Sequence, residues 1–61
     1  MKLNVGDVVV LKSGGPKMTV NQTPFRTLEG KEDETKALCE WFNENGQLKS
    51  FVFNIDELEK L

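Results

Sequence analysis

The 61-residue sequence contains no histidine, no tyrosine and a single cysteine, Cys39. Without histidine, general acid–base chemistry near neutral pH loses its commonest participant, and no Cys/His zinc set can be assembled. One cysteine excludes an intrachain disulfide, and a lone apolar-flanked cysteine fits a reducing compartment. Long apolar runs are also missing. The longest, Val8-Val9-Val10-Leu11, is far short of the ~20 residues that a membrane-spanning helix requires. Lys2 is followed by alternation and not by an apolar stretch of signal-peptide type. The expectation is a soluble, cytoplasmic protein with no membrane association. Positive charge is scarce as well. Eight Lys and Arg against ten Asp and Glu leave a net charge of −2, whereas nucleic-acid binders concentrate basic residues to displace counterions.

What the chain does have is alternation punctuated by turn residues. Residues 1–61 are read as one small domain, because a chain of this length has room for one core and buries only about 60% of its unfolded surface. Residues 5–12, rich in β-branched side chains and with Gly6-Asp7 as a turn at the entrance, predict a strand. Ser13-Gly14-Gly15-Pro16 predicts a turn, since glycine accepts positive φ and proline brings no ladder donor. Lys17–Asn21 is the second strand, with Met18 and Val20 on one face. Residues 22–36 lose periodicity, carry Pro24, Gly30 and the charged run Lys31-Glu32-Asp33-Glu34, and are expected to form a long polar loop pinned by Phe25 and Leu28.

Ala37–Asn43 and Gln47–Phe53 are the third and fourth strands. Glu44-Asn45-Gly46 between them suits a three-residue hairpin loop with Gly46 in the left-handed region. That loop sets Phe42 opposite Leu48 and Trp41 opposite Lys49. One face then gathers Ala37, Cys39, Trp41, Phe51 and Phe53; the other gathers Leu38, Phe42, Leu48 and Val52 around Glu40 and Ser50. A two-residue Asn45-Gly46 turn would slip the register by one and mix the two sets. At the end of the chain, Asn54 and Glu57 have capping-box spacing, and Ile55, Leu58 and Leu61 are spaced to face the body from one to two helical turns near 55–60, of α or 3-10 form. The expected fold is mainly β: a small SH3-like barrel of about four strands with a short C-terminal helical turn, its rival a flat meander with one face covered by a partner chain, and an OB-like barrel less favoured because it normally uses five strands. The expected core is Val9, Leu11, Met18, Val20, Cys39, Trp41, Phe53 and Leu58.

Leu-Lys-Ser-Gly-Gly-Pro-Lys-Met-Thr-Val (residues 11–20), with Gly6-Asp7-Val8-Val9 before it and Cys39-Glu40-Trp41-Phe42, Phe53 and Leu58 after it, resembles the YodC-like family of small bacterial proteins. The resemblance spans both hairpins and the terminal turn. It implies a bacterial or phage source. That family carries no established activity or ligand, so the resemblance implies kinship without a function. In two places the sequence departs from the family pattern: the 21–36 segment is longer than usual, and Asn54-Ile55 stands where proline-rich sequence is expected.

Each residue that could carry chemistry has a plainer role. Gly14-Gly15 leads into a strand, not into the helix that a phosphate loop requires. Cys39 alternates inward and has no histidine to activate it. Glu29, Glu32, Asp33 and Glu34 lack the ligand spacing of a calcium loop. Asp7 and Asp56 suit a turn and a helix start. Trp41 could stack a base or grip a proline, but its neighbours on the same face make it a core anchor. No enzyme, cofactor, metal or small-molecule substrate is expected.

The informative set is Leu38, Phe42, Leu48 and Val52. A chain this small has two apolar hairpin faces and little with which to cover both, and contiguous apolar surface usually marks an interface. The expected function is a non-catalytic protein-interaction module, its partner another protein or a second copy of the chain. The alternative is a nucleic-acid-binding SH3-like domain; that rests on fold analogy alone, and the acidic balance argues against it.

Overall fold

A computed structural model describes residues 3–61. Seven strands follow one another: β1 (Val8–Leu11), β2 (Met18–Gln22), β3 (Phe25–Arg26), β4 (Glu32–Asp33), β5 (Lys36–Phe42), β6 (Leu48–Asn54) and, after a 3-10 turn at Ile55–Glu57, β7 (Leu58–Lys60). Five of them form one antiparallel sheet in the order β6-β5-β2-β1-β7. β3 and β4 pair separately as a small hairpin. The protein is mainly β, and its large sheet is not closed: β6 and β7 are its two edges.

The four strands expected from alternation are β1, β2, β5 and β6, displaced by three residues at the start of β1 and by one at every other end. Their side chains alternate inward as the pattern requires. Leu3, Val9, Met18, Val20, Ala37, Cys39 and Leu58 are buried, with Leu11, Trp41, Phe53 and Ile55 packed partly exposed around them. Leu11, Trp41 and Phe53 are therefore the margin of the core, not its centre, and Leu3 and Ala37 complete the centre. The first hairpin is tied down at its entrance by Asp7. Its carboxylate accepts from the Asn4 N–H (2.8 Å) and lies 3.6 Å from the Lys60 ammonium, and its carbonyl accepts from the Val20 N–H (2.9 Å).

Three expectations are corrected. The 22–36 segment is not a plain loop, because β3 and β4 pair Phe25 with Asp33 and Arg26 with Glu32. Phe25 is half-buried, but Leu28 sits fully exposed at the tip and pins nothing. The terminal helical turn is only the three residues 55–57. From Leu58 the chain extends and pairs with β1, Leu58 opposite Leu11, so strand alternation buries Leu58 and leaves Leu61 62% exposed. Asn54 stands at the N-cap as expected but its side chain makes no capping bond; its amide donates to the Glu57 carboxylate (3.3 Å) and its oxygen accepts from Lys36 Nζ (2.8 Å). Finally Phe51, on the expected core face, is 62% exposed. It lies on an edge strand, where no second layer reaches it.

Candidate functional site

The β5–β6 hairpin is built by its turn. Asn43 N–H donates to the Gln47 carbonyl (2.9 Å) and Gly46 N–H to the Asn43 carbonyl (3.0 Å). The Asn43 side-chain oxygen accepts from the backbone N–H groups of Asn45 and Gln47, both at 2.9 Å. Gly46 has φ +75°, a conformation open to glycine and costly for other residues. This is the three-residue loop expected from Glu44-Asn45-Gly46.

The register follows from that loop without interruption. Phe42 stands opposite Leu48, Trp41 opposite Lys49, Cys39 opposite Phe51, Leu38 opposite Val52 and Ala37 opposite Phe53. Leu38, Phe42, Leu48 and Val52 therefore share one face. They are not equally exposed. Phe42 is 68% and Leu48 57% exposed, while Leu38 and Val52 are half-buried. The opposite face carries a tilted aromatic row: Trp41 and Phe53 have ring centroids 6.1 Å apart, Phe53 and Phe51 5.2 Å. Trp41 packs one side on the core margin. It also lines a shallow recess of about 290 Å³ with Pro16, Phe42, Asn43 and Glu44. The Asn43 side chain is already committed to the turn. That leaves Glu44 as the one uncommitted polar side chain of the recess, too few to converge on and orient a small ligand.

The two edges of the sheet differ. β7 has three residues, two of them the charged Glu59 and Lys60, and a short, charged edge resists pairing with another chain. β6 has seven residues and one charge, Lys49. Antiparallel ladders alternate hydrogen-bonded and non-bonded pairs. Asn43–Gln47 is a bonded pair, and Ile55 N–H donates to the Thr35 carbonyl (2.8 Å) eight residues away. The positions between must then alternate, so Lys49, Phe51 and Phe53 bond to β5. Leu48, Ser50, Val52 and Asn54 direct their backbone N–H and C=O groups outward. Residues 48–51 are all exposed.

Cys39 is fully buried, and burial pushes its thiol pKa up, which keeps it protonated and unreactive. Asp33 is held below its ordinary value by hydrogen bonds from the Thr35 hydroxyl and the Thr35 N–H, with Lys36 adding a smaller attraction. It closes the turn between β4 and β5. Among the described residues no group of three or more His, Cys, Asp or Glu is placed to hold a metal ion, and no helix is long and apolar enough to cross a membrane.

This is a small, mainly β protein in which one hairpin leaves Phe42, Leu48 and Phe51 exposed. The family profile described as "Uncharacterized small protein (DUF2158)" matches residues 4–58, and the chain belongs to that family. Searches of curated proteins and of solved structures return no match.

Proposed function

We propose that the chain is a non-catalytic protein-interaction module that presents the β5–β6 hairpin to its partner. The observation that carries this reading is the opposed pair Phe42 and Leu48, both more than half exposed and flanked on the same face by Leu38 and Val52. Large apolar side chains left out of so small a core gain only when a partner covers them. Two finer readings accompany it. The strand order β6-β5-β2-β1-β7, the irregular register of β2 between Val20 and Gln22, and a 3-10 turn before the last strand support an open SH3-like barrel, since a bulge bends its strand and coils the sheet. The Leu11–Val20 string supports a YodC-like member of the family. A reduced, buried Cys39 is in keeping with the cytoplasm.

The test is affinity capture from a native host, with wild type compared against Phe42→Glu and Leu48→Glu, each paired with a melting curve. The expected result is loss of the captured protein with little change in melting. If Leu48→Glu unfolds the chain, the residue is core and there is no patch. If both variants melt and capture like wild type, the patch is not the binding surface.

A further inference from the structure

We propose that β6 pairs antiparallel with β6 of a second copy, centred on Phe51, to join two five-stranded sheets into one. The inference rests on reading this hairpin as an interaction surface, and it names the occupant of its open edge.

The argument starts from the backbone. Leu48, Ser50, Val52 and Asn54 turn unpaired donors and acceptors outward along an edge strand that is exposed at residues 48–51 and at Asn54 and half-buried at Val52 and Phe53. A second β6 can bond to them only in registers that set outward-directed residues opposite outward-directed residues. Among such two-fold registers, one uses the whole strand. It places Leu48 opposite the second copy's Asn54 and Ser50 opposite its Val52, giving about eight backbone hydrogen bonds across the axis. Centring instead on Ser50 or Val52 loses a quarter of them, and centring on Lys49 loses half.

Side chains select the same register. Lys49 is the only charged residue of β6. Centred on itself it would meet its copy directly, and like charges directly opposite are destabilising. Centred on Phe51, each Lys49 lies opposite a Phe53, and the two ammonium-bearing residues are about 13–14 Å apart along the strands, beyond the ~8–10 Å over which exposed charges interact in salt. Lys49 thus acts as a register selector. The same arrangement places Phe51, 62% exposed in the single chain, against its copy at a non-hydrogen-bonded pair, where side chains approach most closely. The two-fold axis runs through the sheet, so both Phe42–Leu48 patches emerge on the same face. A partner of the hairpin would meet two patches at a fixed separation.

Sedimentation equilibrium over a wide concentration range should show wild type rising from 6.9 kDa toward twice that mass. Ser50→Pro removes an outward N–H that β5 does not use, as proline on an edge strand is tolerated, and should stay monomeric with wild-type melting. If that variant does not fold, cross-linking decides. Phe51→Cys should oxidise to a disulfide dimer, because Cα atoms about 4.5 Å apart across the axis lie within disulfide reach. Ser50→Cys should cross-link at least tenfold more slowly, and the wild-type Cys39, being buried, should not cross-link. A wild type that stays monomeric throughout, a folded Ser50→Pro that associates normally, or a Ser50→Cys that cross-links as fast as Phe51→Cys would overturn the proposal. Phe42→Glu separates it from the broader reading. That variant should keep the dimer and lose the captured partner, whereas failure of self-pairing alone leaves the effect of Phe42→Glu on capture intact.

Discussion

Truncating Leu58 and Leu48 to alanine removes the same atoms from two very different places. Leu58 is fully buried between β1 and the core, whereas Leu48 is 57% exposed on the edge. Leu→Ala in a packed core costs about 2–5 kcal/mol, the transfer free energy plus the cavity left behind. Burying a whole leucine contributes about 1.5–3 kcal/mol, and less than half of Leu48 is shielded, so its truncation should cost about 1 kcal/mol or less. Against a total stability of about 3–9 kcal/mol for a chain of this length, Leu58→Ala removes much of the margin and should lower Tm by at least about 10 °C. Leu48→Ala should move it by a few degrees. Urea unfolding read by the fluorescence of Trp41, the sole tryptophan, and by circular dichroism gives both values. Low micromolar protein keeps association from adding to apparent stability. Equal losses in the two variants would refute the reasoning, since Leu48 would then be covered within its own chain.

Cys39, buried and with its thiol pKa raised, should resist a thiol reagent in the native state and react fully once unfolded, at a rate that tracks the fraction opened; prompt native-state labelling would place it at the surface. Asp33 should titrate below its ordinary value of 3.8 by NMR, and Thr35→Val should bring it back toward that value, because the largest contribution is the Thr35 hydroxyl. A depressed folded pKa means that this stabilisation is present above the unfolded pKa and is lost as pH falls through the lower folded one, so the β4–β5 turn should loosen only in strong acid. With a net charge of −2, titration with labelled single- and double-stranded oligonucleotides at two salt concentrations should show no tight binding. Submicromolar affinity with a steep salt slope would move Lys12, Lys17 and Lys49 to the centre of the functional reading.

Much of the fold was legible because it is local. Glu44-Asn45-Gly46 specifies one turn geometry, that geometry specifies one register, and a period of two then assigns every side chain of β5 and β6 to a face. The illegible parts are those where periodicity has no length in which to act. β3 and β4 are two residues each, and the charged run that reads as solvated loop pairs instead through contacts such as Arg26 with Glu32, 3.9 Å apart. β7 was masked because Ile55, Leu58 and Leu61 fit helical spacing. Only the long-range pairing of Leu58 with Leu11 decides that the chain extends after Glu57. Phe51 shows the further limit. Alternation assigns a residue to a face, but whether anything covers that face depends on which strand is the edge.

The exposure of Phe42, Leu48 and Phe51 follows from the same register that makes the core, and this ties fold to function. Left more than half exposed, the three together forgo burial worth about 3–5 kcal/mol at ordinary transfer values, a sum comparable to the stability of the whole domain. Two rearrangements of the hairpin fail to recover it. A one-residue slip of β6 against β5 would invert the faces of β6, turning Phe51 and Phe53 away from the Trp41 side and breaking the hydrogen bonds of the Asn43 turn. Folding the tip inward is blocked by the buried Cys39 and Ala37 on the same strand as Phe42, whose alternation fixes Phe42 outward. Among the described residues the register therefore leaves these side chains uncovered, and that exposure is what the proposed interaction surface rests on.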